Sequence, residues 1–308
     1  MNIPKVIVLI LSYNGKYLLE DALNSYLEND YANYQILVID NGSVDGTVDY
    51  VNENYKDVFV RRLEKNQGYS GGFNFGLNIA FNEMDADYAM ITNNDVVADK
   101  DIVSELVKVA VTDEKIGFTT GKVYFNEKKD TLQTVGMSYD PVRLNGGHIG
   151  NAEIDKGQYD EVTERYFADD VFTMVNKNLY KEIGGYDPEF VLQAEQFDWQ
   201  MRAKDKGYKI MFTPHAKLWH KESMTIGKHS PTKLYYDARN PMIVLMKYVD
   251  AKAFKKYFWL HLKKDTLRAS LVNLKHFHFR IALNIWLGFF SGMNWGIKNK
   301  KLTLKHIF

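Results

Sequence analysis

Cysteine is absent from the 308 residues and proline is scarce, at six. Without thiols the chain forms neither disulfides nor thiolate metal sites, so any bound metal needs oxygen and imidazole ligands. A chain without disulfides suits a reducing compartment, and we expect a cytoplasmic protein.

Long apolar runs are missing as well. The run Val6–Leu11 is too short for the apolar core of a secretory signal and is predicted to be a buried strand. The stretch 281–290 is interrupted by Asn284 and is well short of the roughly 20 residues that a membrane span needs. No transmembrane helix is predicted. With 45% hydrophobic residues, the chain can bury the core of a globular protein.

Net charge is zero, but it is unevenly divided along the chain. Residues 247–308 contain 13 Lys and Arg against two acids, a charge of +11, which leaves −11 on residues 1–246. Residues 254–297 are also rich in aromatic side chains and helical in pattern. They either pack on the remaining chain or on a second subunit of a homo-oligomer, or they contact a membrane surface, which we favour. No nucleic-acid-binding module accompanies the charge, so nucleic acid is not an expected partner.

Short β-branched runs alternate with helical stretches in the first ninety residues. The predicted strands are Val6–Leu11, Ile36–Ile39, Val58–Arg62 and Tyr88–Ile91, and the predicted helices are Tyr17–Glu28, Thr47–Asn54 and Gly72–Asn82. This alternation predicts parallel βαβ units and an α/β fold with a mostly parallel central sheet flanked by helices.

Polar, turn-forming residues follow each of these predicted strands. They are Ser12, Tyr13 and Asn14; Asp40, Asn41 and Gly42; Asn66 to Gly72; and Asn93, Asn94 and Asp95. In open sheets of this kind, ligands bind beyond the carboxyl ends of the strands. Each group alone is also ordinary turn chemistry.

The second half is less regular. Residues 121–156 are predicted to form hairpins or loops, followed by strands at Val171–Val175 and Lys209–Phe212 and helices at Lys177–Ile183 and Glu195–Lys206. We predict one large domain at 1–245 and a separate segment after it. Residues 246–308 form a helical C-terminal extension in this division.

An ordered set of motifs carries a family resemblance. The set begins with the strand-end groups named above. The group at Asp40 continues through Ser43, Val44, Asp45, Gly46 and Thr47, and the group ending at Gly72 continues through Phe73 and Asn74. Further along the chain follow Gly184, Gly185, Tyr186 and Asp187; Glu195 to Arg202; Trp219 and His220; and Tyr235 to Asn240. Together these residues resemble the family-two inverting glycosyltransferases of GT-A fold, especially their rhamnosyltransferase-like bacterial branch. The resemblance runs from about residue 5 to residue 245. It implies that residues 1–245 form a catalytic domain, with a nucleotide-binding half at 1–98 and an acceptor-binding half at 99–245.

The resemblance implies a divalent metal ion, Mg²⁺ or Mn²⁺, held by Asp95 as the last residue of a degenerate DxD motif. It also implies His220 as a second ligand of that ion. From the residues alone, Asn93 to Asp95 are equally explained as a cap for a helix beginning near Lys100, and a single histidine beside tryptophan is more often a packed one.

The resemblance further implies a nucleotide-sugar donor. Asp40 would accept a hydrogen bond from N3–H of uracil or thymine, and Tyr13 would stack on that base, which leaves UDP- and dTDP-sugars undistinguished. Arg239 would approach the diphosphate once the loop 221–233 closes. The whole predicted donor-binding set is Ser12, Tyr13, Asn14, Asp40, Asn66, Gly71, Asn74, Asn93, Asn94 and Arg239.

The catalytic base is predicted on the helix that begins at Glu195. The family pattern there is commonly Glu, Asp, any residue, Asp, whereas this chain has Gln196 in the second position, and glutamine does not act as a base. We predict Glu195 as the base, with Asp198 as the competitor. The structural alternative is an ion pair between Asp198 and Arg202, with Glu195 as a helix cap. Asp169 and Asp170 also depart from the family, whose members place small residues there.

The predicted function is an inverting, metal-dependent transfer of a sugar from a UDP- or dTDP-sugar to a glycan or lipid-linked acceptor. Surface polysaccharide biosynthesis at the inner face of the plasma membrane is the expected setting. One alternative is a degenerate, non-catalytic nucleotide-sugar-binding protein, which Gln196 keeps open. Another is a sugar nucleotidyltransferase, which residues 12–16 disfavour because they form no glycine-rich triphosphate loop.

Overall fold

A computed structural model describes residues 3–221, 230–299 and 301. Residues 222–229 of the loop predicted to close, and 300 and 302–308 of the C-terminal segment, lie outside the described residues. Among those described, contacts divide the chain into two units. The first comprises 3–138, 147–191 and 199–221, and the second comprises 139–146, 192–198 and 230–301 except residue 300. The boundaries at 98 and 245 stay predictions.

The first unit is built on a ten-stranded sheet. The strands of the chain are β1 Val6–Ser12, β2 Tyr34–Asp40, β3 Val58–Arg62, β4 Tyr88–Thr92, β5 Val96–Ala98, β6 Ile116–Phe125, β7 Lys128–Thr134, β8 Met137–Asp140, β9 Leu144–His148, β10 Thr163–Glu164, β11 Phe172–Asn176 and β12 Lys209–His220. The order in the sheet is β10-β12-β6-β11-β4-β1-β2-β3, with β5 on β12 and β7 on β6, while β8 and β9 pair separately.

The sheet is mixed in direction. Strands β3, β2, β1 and β4 are mutually parallel, as are β6 and β12, and β11 lies antiparallel between β4 and β6. The parallel half is the one predicted from the alternating sequence.

Helices flank the strands and make up the C-terminal region. They are α1 Lys16–Leu27, α2 Thr47–Asn54, α3 Gly68–Asn78, α4 Ile102–Ala110, α5 Lys177–Ile183, α6 Glu195–Asp205, α7 Pro231–Tyr248, α8 Ala251–Leu260, α9 Ala269–Lys275 and α10 Phe279–Lys298. A π-helical turn, Ile79–Glu83, continues α3, and a second, His261–Arg268, joins α8 to α9.

Both faces of the sheet are covered, which explains the unbroken apolar run of β1. Val6, Val8 and Ile10 belong to one buried cluster with residues of α1 and α4. Ile7 and Leu9 belong to a second cluster with residues of α3 and α5. A strand buried on both faces has no polar side to present, so its sequence is apolar at every position.

Two local expectations differ from the structure. The helix-cap alternative for Asn93 to Asp95 is wrong, because strand β5 follows Asp95 directly and Asp101 occupies the N-cap of α4. The strand predicted at Lys209–Phe212 continues to His220, since its second half pairs with both β6 and β5. These pairings join distant parts of the chain, so no local sequence pattern predicts them.

In the second unit, glycines bring α10 close to α7. A Cβ atom on Gly288 would lie 2.2 Å from the carbonyl oxygen of Tyr235, and one on Gly292 would lie 3.0 Å from that of Arg239. Only hydrogen fits at the first of these positions. None of the helices within 3–221 and 230–299 has the length and apolar character required to cross a membrane.

Candidate active site

Three neighbouring strands of the first unit end at the predicted donor site. Ser12 and Asp40 are register partners at the ends of β1 and β2. Asn94, just beyond β4, donates a hydrogen bond of 3.3 Å from Nδ2 to Ser12 Oγ. The parallel strands therefore bring together polar residues that are more than 80 positions apart in the chain.

Asp40 is buried, with 1% of its surface exposed. Its Oδ1 accepts a hydrogen bond of 3.1 Å from the Ser43 amide, and its Oδ2 lies 3.4 Å from Arg62 Nε. Oδ2 nevertheless receives no hydrogen bond from the residues that the structure describes. A buried acceptor left in this state is costly unless a ligand supplies the donor, so Asp40 is suited to recognise an N–H group.

Tyr13 and Asn14 lie in the turn after β1. Asn14 has a positive φ of 48°, and its amide donates to Ser43 Oγ at 2.9 Å. Its Oδ1 accepts a hydrogen bond of 2.9 Å from the Val44 amide. Asn14 therefore ties the end of β1 to the loop after β2, while the neighbouring Tyr13 ring is exposed.

The segment before and within α3 is held by amide side chains. Asn41 Nδ2 donates to Asn66 Oδ1 at 3.2 Å and to the Gly68 carbonyl at 2.9 Å. Asn74 contacts the main chain of Tyr186 with both ends of its amide, at 2.9 and 2.8 Å. Because both ends are engaged, Asn74 fixes the loop 184–187 against α3, and a role in donor binding stays a prediction.

A pocket of about 460 Å³ opens beside α3. It is lined by Leu63, Gln67, Ser70, Gly71, Asn74, Phe75, Asn78, Pro188 and Val191. Two predicted donor residues, Gly71 and Asn74, are among them, but Asp40 and Asp95 are not. The pocket is adjacent to the glycine-rich segment without containing the predicted metal ligands.

Asp95 and His220 meet in the structure. His220 Nε2 lies 3.1 Å from Asp95 Oδ1, and the residues are 8% and 4% exposed, respectively. The antiparallel pairing of β12 with β5 places His220 opposite Val96, the residue after Asp95. The other ring nitrogen of His220, Nδ1, lies 2.9 Å from Gln133 Oε1 on β7.

The sequence does not point to Gln133, because a single glutamine in a strand has no local pattern that distinguishes a site residue. If Nδ1–H donates to Gln133, then Nε2 presents a lone pair on the side of Asp95. This is the tautomer that a metal-ligating histidine needs.

The side chains of Asp95 and His220 are suitable ligands for a hard divalent cation. No group of three or more His, Asp or Glu side chains suited to a metal exists within 3–221, 230–299 and 301. Mg²⁺ is commonly bound by one or two carboxylates together with substrate phosphates rather than by a complete protein cage. One carboxylate and one imidazole are therefore adequate when phosphate oxygens complete the shell.

In the second unit, Glu195 is the first residue of α6. It is 6% exposed, and its Oε2 has no hydrogen-bond partner among the described residues. Burial raises the pKa of the Glu195 carboxyl to about 7, and the negative charge of Asp237 acts in the same direction. A carboxyl group with such a pKa can exchange a proton near neutral pH.

The residues before Glu195 adopt a rare backbone conformation. Gln193 and Ala194 have φ values of 67° and 69°. Asn240 Nδ2 donates to the carbonyls of Leu192, at 2.7 Å, and Gln193, at 2.8 Å. The side chain of Asn240 therefore holds this left-handed stretch in place.

Arg239 contacts Asn240 and α10. Its Nη1 donates to Asn240 Oδ1 at 2.7 Å, and its Nε donates to Ser291 Oγ at 3.2 Å. These contacts orient Asn240 within the second unit. A role of Arg239 at the diphosphate stays a prediction.

Asp198, the competing base, is completely buried in an ionic environment. It pairs with Lys247 Nζ, and the Tyr248 hydroxyl donates to its Oδ1 at 2.7 Å. Arg202 donates to the main-chain carbonyls of Ile183 and Gly185, at 2.7 and 2.5 Å. The Asp198 carboxylate therefore already has a cationic and a hydroxyl partner within the second unit.

Asp169 and Asp170 bind neighbouring side chains. Asp170 Oδ2 accepts a hydrogen bond of 2.8 Å from the Tyr186 hydroxyl, and Asp169 Oδ2 lies 3.1 Å from His148 Nδ1. Both carboxylates therefore have partners within the first unit.

The family model described as glycosyl transferase family 2 matches residues 7–184, more than half of the chain. The chain belongs to glycosyl transferase family 2. The predicted family is confirmed, and the protein is a glycosyltransferase.

This family 2 glycosyltransferase is similar to curated polysaccharide synthases. It is 25% identical over 222 residues to a poly-β-1,6-N-acetyl-D-glucosamine synthase of Staphylococcus aureus strain COL, covering 71% of this chain and 50% of the relative. The synthase of the same name from Staphylococcus epidermidis is 26% identical over 223 residues, with the same coverage. The chain therefore spans about half the length of these curated relatives.

Solved structures of glycosyltransferases share the fold. The mannosyltransferase PcManGT from Pyrobaculum calidifontis, in complex with GDP-Man and Mn²⁺, aligns with a TM-score of 0.60 and 14% identity over 95% of this chain and 88% of that one. GalNAc-T7 with UDP, GalNAc and Mn²⁺ aligns with a TM-score of 0.66 and 16% identity, covering 97% of this chain and 58% of that one. TarS 1-349 of S. aureus in complex with UDP aligns with a TM-score of 0.56 and 16% identity, covering 87% of this chain and 75% of that one. The predicted GT-A fold is confirmed.

Proposed function

We propose that this family 2 glycosyltransferase is an inverting, metal-dependent enzyme that uses a UDP- or dTDP-sugar. The contact between Asp95 and His220, oriented by Gln133, is the observation that carries the proposal. Breaking the bond between sugar and phosphate leaves negative charge on a diphosphate, which must be stabilised as it develops. The residues at the ends of β4 and β12 are suited to hold the required positive charge.

Asp95 and His220 would hold Mg²⁺ or Mn²⁺ against the diphosphate. The bound cation would act as a Lewis acid toward the leaving group. Gln133 keeps the imidazole in the ligating tautomer, and the burial of both ligands limits competition from water. Two structures of similar fold were solved with Mn²⁺, which supports a divalent metal.

Asp40 would recognise the pyrimidine base of the donor. Its buried Oδ2 accepts the N3–H of uracil or thymine, and the exposed ring of Tyr13 provides a stacking surface. The remaining donor contacts are assigned to Ser12, Asn14, Asn66, Gly71, Asn74, Asn93, Asn94 and Arg239. Two of the structures with a similar fold contain UDP, in agreement with a uridine donor.

Glu195 would act as the base that accepts the proton of the acceptor hydroxyl. Direct displacement with inversion requires one such group. The pKa of about 7 and the unpaired Oε2 suit Glu195 to this task, whereas Lys247 and Tyr248 already stabilise the Asp198 carboxylate. We therefore assign the base to Glu195 rather than to Asp198.

The acceptor is proposed to be a growing glycan or a lipid-linked saccharide. The curated relatives are named as polysaccharide synthases, which supports a role in surface polysaccharide biosynthesis. Action at the inner face of the plasma membrane, with contact through residues 254–297, and assembly as a homo-oligomer also belong to this proposal.

A panel of UDP- and dTDP-sugars with Mn²⁺ tests the proposal through thermal shift and slow donor hydrolysis. We expect at least one donor to stabilise the protein and to be hydrolysed only when the metal is present. Asp95→Ala should lose the metal-dependent part of both signals, and Glu195→Ala should lose transfer to an acceptor while keeping donor binding. Asp57→Ala, at an exposed carboxylate, is the matched control.

The proposal is rejected if no nucleotide sugar stabilises the protein. Donor binding without any turnover would instead indicate a non-catalytic binding protein. Full transfer activity in Glu195→Ala would show that Glu195 is not the base. It would not affect the assignment of Asp95 and His220 as metal ligands.

A further inference from the structure

Exposed apolar side chains are concentrated in the C-terminal helices. Of the 21 exposed large hydrophobic residues in the described part of the chain, 11 lie between 259 and 297. This segment is about an eighth of the protein, so the concentration far exceeds an even distribution. Large contiguous apolar surface on a folded protein marks a site of interaction.

Helix α10 is apolar on two opposite sides. Ile281, Ile285 and Phe289 are buried, at 8%, 2% and 3% exposure. Phe279, Leu283 and Phe290 are 62%, 57% and 56% exposed. The exposed residues recur at spacings of four and seven, which places them on one side of the helix. Packing within the chain accounts for the first side only.

The turn before α10 adds an aromatic tip. Phe277 has a φ of 60° and is 79% exposed. Its ring lies edge-on to that of Phe279, with 6.1 Å between centroids. A bulky residue at positive φ is strained, and here the strained residue presents its ring to solvent.

The charge around this surface is predominantly positive. Residues 251–299 contain nine Lys and Arg and a single acid, Asp265. Lys263, Lys264, Lys275 and Arg280 are all exposed. A second copy of the chain would bring the same positive charge to the interface, which disfavours self-association. A partner that is apolar inside and negatively charged at its surface satisfies both features.

We propose that the C-terminal apolar face, formed by Phe277, Phe279, Leu283, Leu287 and Phe290, docks on the surface of an anionic lipid bilayer. The aromatic tip and the exposed side of α10 enter the boundary between headgroups and acyl chains, and the lysines and arginines contact the headgroups. The helices lie along the surface rather than across it. This inference rests on the membrane contact included in the proposed function, for which it specifies the contacting residues and the lipid charge. It concerns binding alone, so its failure would leave the proposed reaction untouched.

Flotation of the full chain with vesicles tests the inference. We expect binding to phosphatidylcholine vesicles containing about one-third phosphatidylglycerol and much weaker binding to phosphatidylcholine alone. The triple variant Phe277→Ser, Phe279→Ser, Leu283→Ser should bind the anionic vesicles at least about tenfold more weakly. Val111→Ser with Ile154→Ser, at apolar positions 55% and 52% exposed in the first unit, is the matched control and should bind normally.

A second variant separates charge from apolar contact. Replacing Lys263, Lys264, Lys275 and Arg280 by glutamine should also weaken vesicle binding by about tenfold or more. Added salt should weaken the binding of the unsubstituted protein in the same way. Hydrogen exchange of the unsubstituted protein needs no variant: amides of residues 274–290 should gain protection with anionic vesicles. Unchanged exchange there, or equal binding by the triple variant, overturns the inference. A concentration-dependent dimer that the triple variant abolishes would also overturn it and assign the face to a second copy.

Discussion

The side-chain amide of Asn240 donates a hydrogen bond of 2.8 Å to the carbonyl of Gln193, which begins the left-handed stretch before Glu195. Each non-glycine residue held in this conformation costs on the order of 1–3 kcal/mol, so the surroundings must stabilise it. Arg239 connects Asn240 to Ser291 on α10. The C-terminal helix therefore orients the loop that leads to the proposed base, although it follows that loop by almost 100 residues.

Replacing Asn240 by alanine should release this loop and lower kcat by roughly 10- to 100-fold, because a misplaced base loses its alignment with the acceptor hydroxyl. Donor affinity should change little, since the proposed donor residues lie mainly in the first unit. Steady-state kinetics together with nucleotide binding measures both effects. Asn54→Ala, at an exposed helical asparagine whose Nδ2 donates to the Tyr50 carbonyl at 2.8 Å, is the matched control. An unchanged kcat in Asn240→Ala would show that the loop keeps its position unaided.

Removing the acceptor beside His220 should weaken metal binding. Gln133→Met keeps the length of the side chain but takes away the oxygen that holds Nδ1–H, and such partners of ligating histidines are worth about 10- to 100-fold in metal affinity. Titration of Mn²⁺ in the presence of UDP, followed by thermal shift, reports the change. Gln35→Met, at a strand glutamine on β2, provides the control. Equal Mn²⁺ affinity in both variants would argue against His220 as a ligand.

The rate should depend on pH through Glu195. A base must be deprotonated to act, so kcat should fall as the pH drops through the value near 7 to which burial raises the pKa of Glu195. Glu195→Gln should lose activity by roughly 10²- to 10⁴-fold and lose this acidic limb. Glu105→Gln, at a carboxylate in the first turn of α4, should keep both. If the limb survives in Glu195→Gln, the titrating group is another residue, with Asp198 the first candidate.

The same carboxyl group should make stability depend on pH. Its pKa rises from 4.5 in the unfolded chain to about 7 in the folded protein, so the folded state binds the proton more tightly. The contribution to stability is complete below about pH 4.5 and is lost as the pH rises through about 7. Relative to Glu195→Gln, the unsubstituted protein should lose up to about 3 kcal/mol of unfolding free energy across this range. Denaturant titrations at about pH 4.5 and about pH 8 measure the difference, and parallel curves for the two proteins would contradict it.

Much of the first unit was predictable from local sequence. The β-branched runs predicted the four parallel strands, because a strand buried on both faces must be apolar throughout. The helices between them were also predicted, with shifts at their ends. The polar residues after each strand indicated the site, since parallel strands end at one edge of a sheet. Asp40 and Asp95 are among these residues, and their roles at the donor and the metal stay predictions taken from the family resemblance. The family itself was recognised from the ordered motifs.

The sequence by itself therefore determined the parallel half of the sheet, the family and the positions of the polar strand ends. Only the tertiary structure decided which side chains meet. The pairing of β12 with β5 and β6 brought His220 to Asp95, and β7 supplied Gln133 to the same imidazole. The contact of Asn240 with Gln193, and the exposure of one apolar side of α10, are likewise invisible locally. Each depends on contacts between distant segments, and those are set by how the whole chain buries its apolar surface rather than by neighbouring residues.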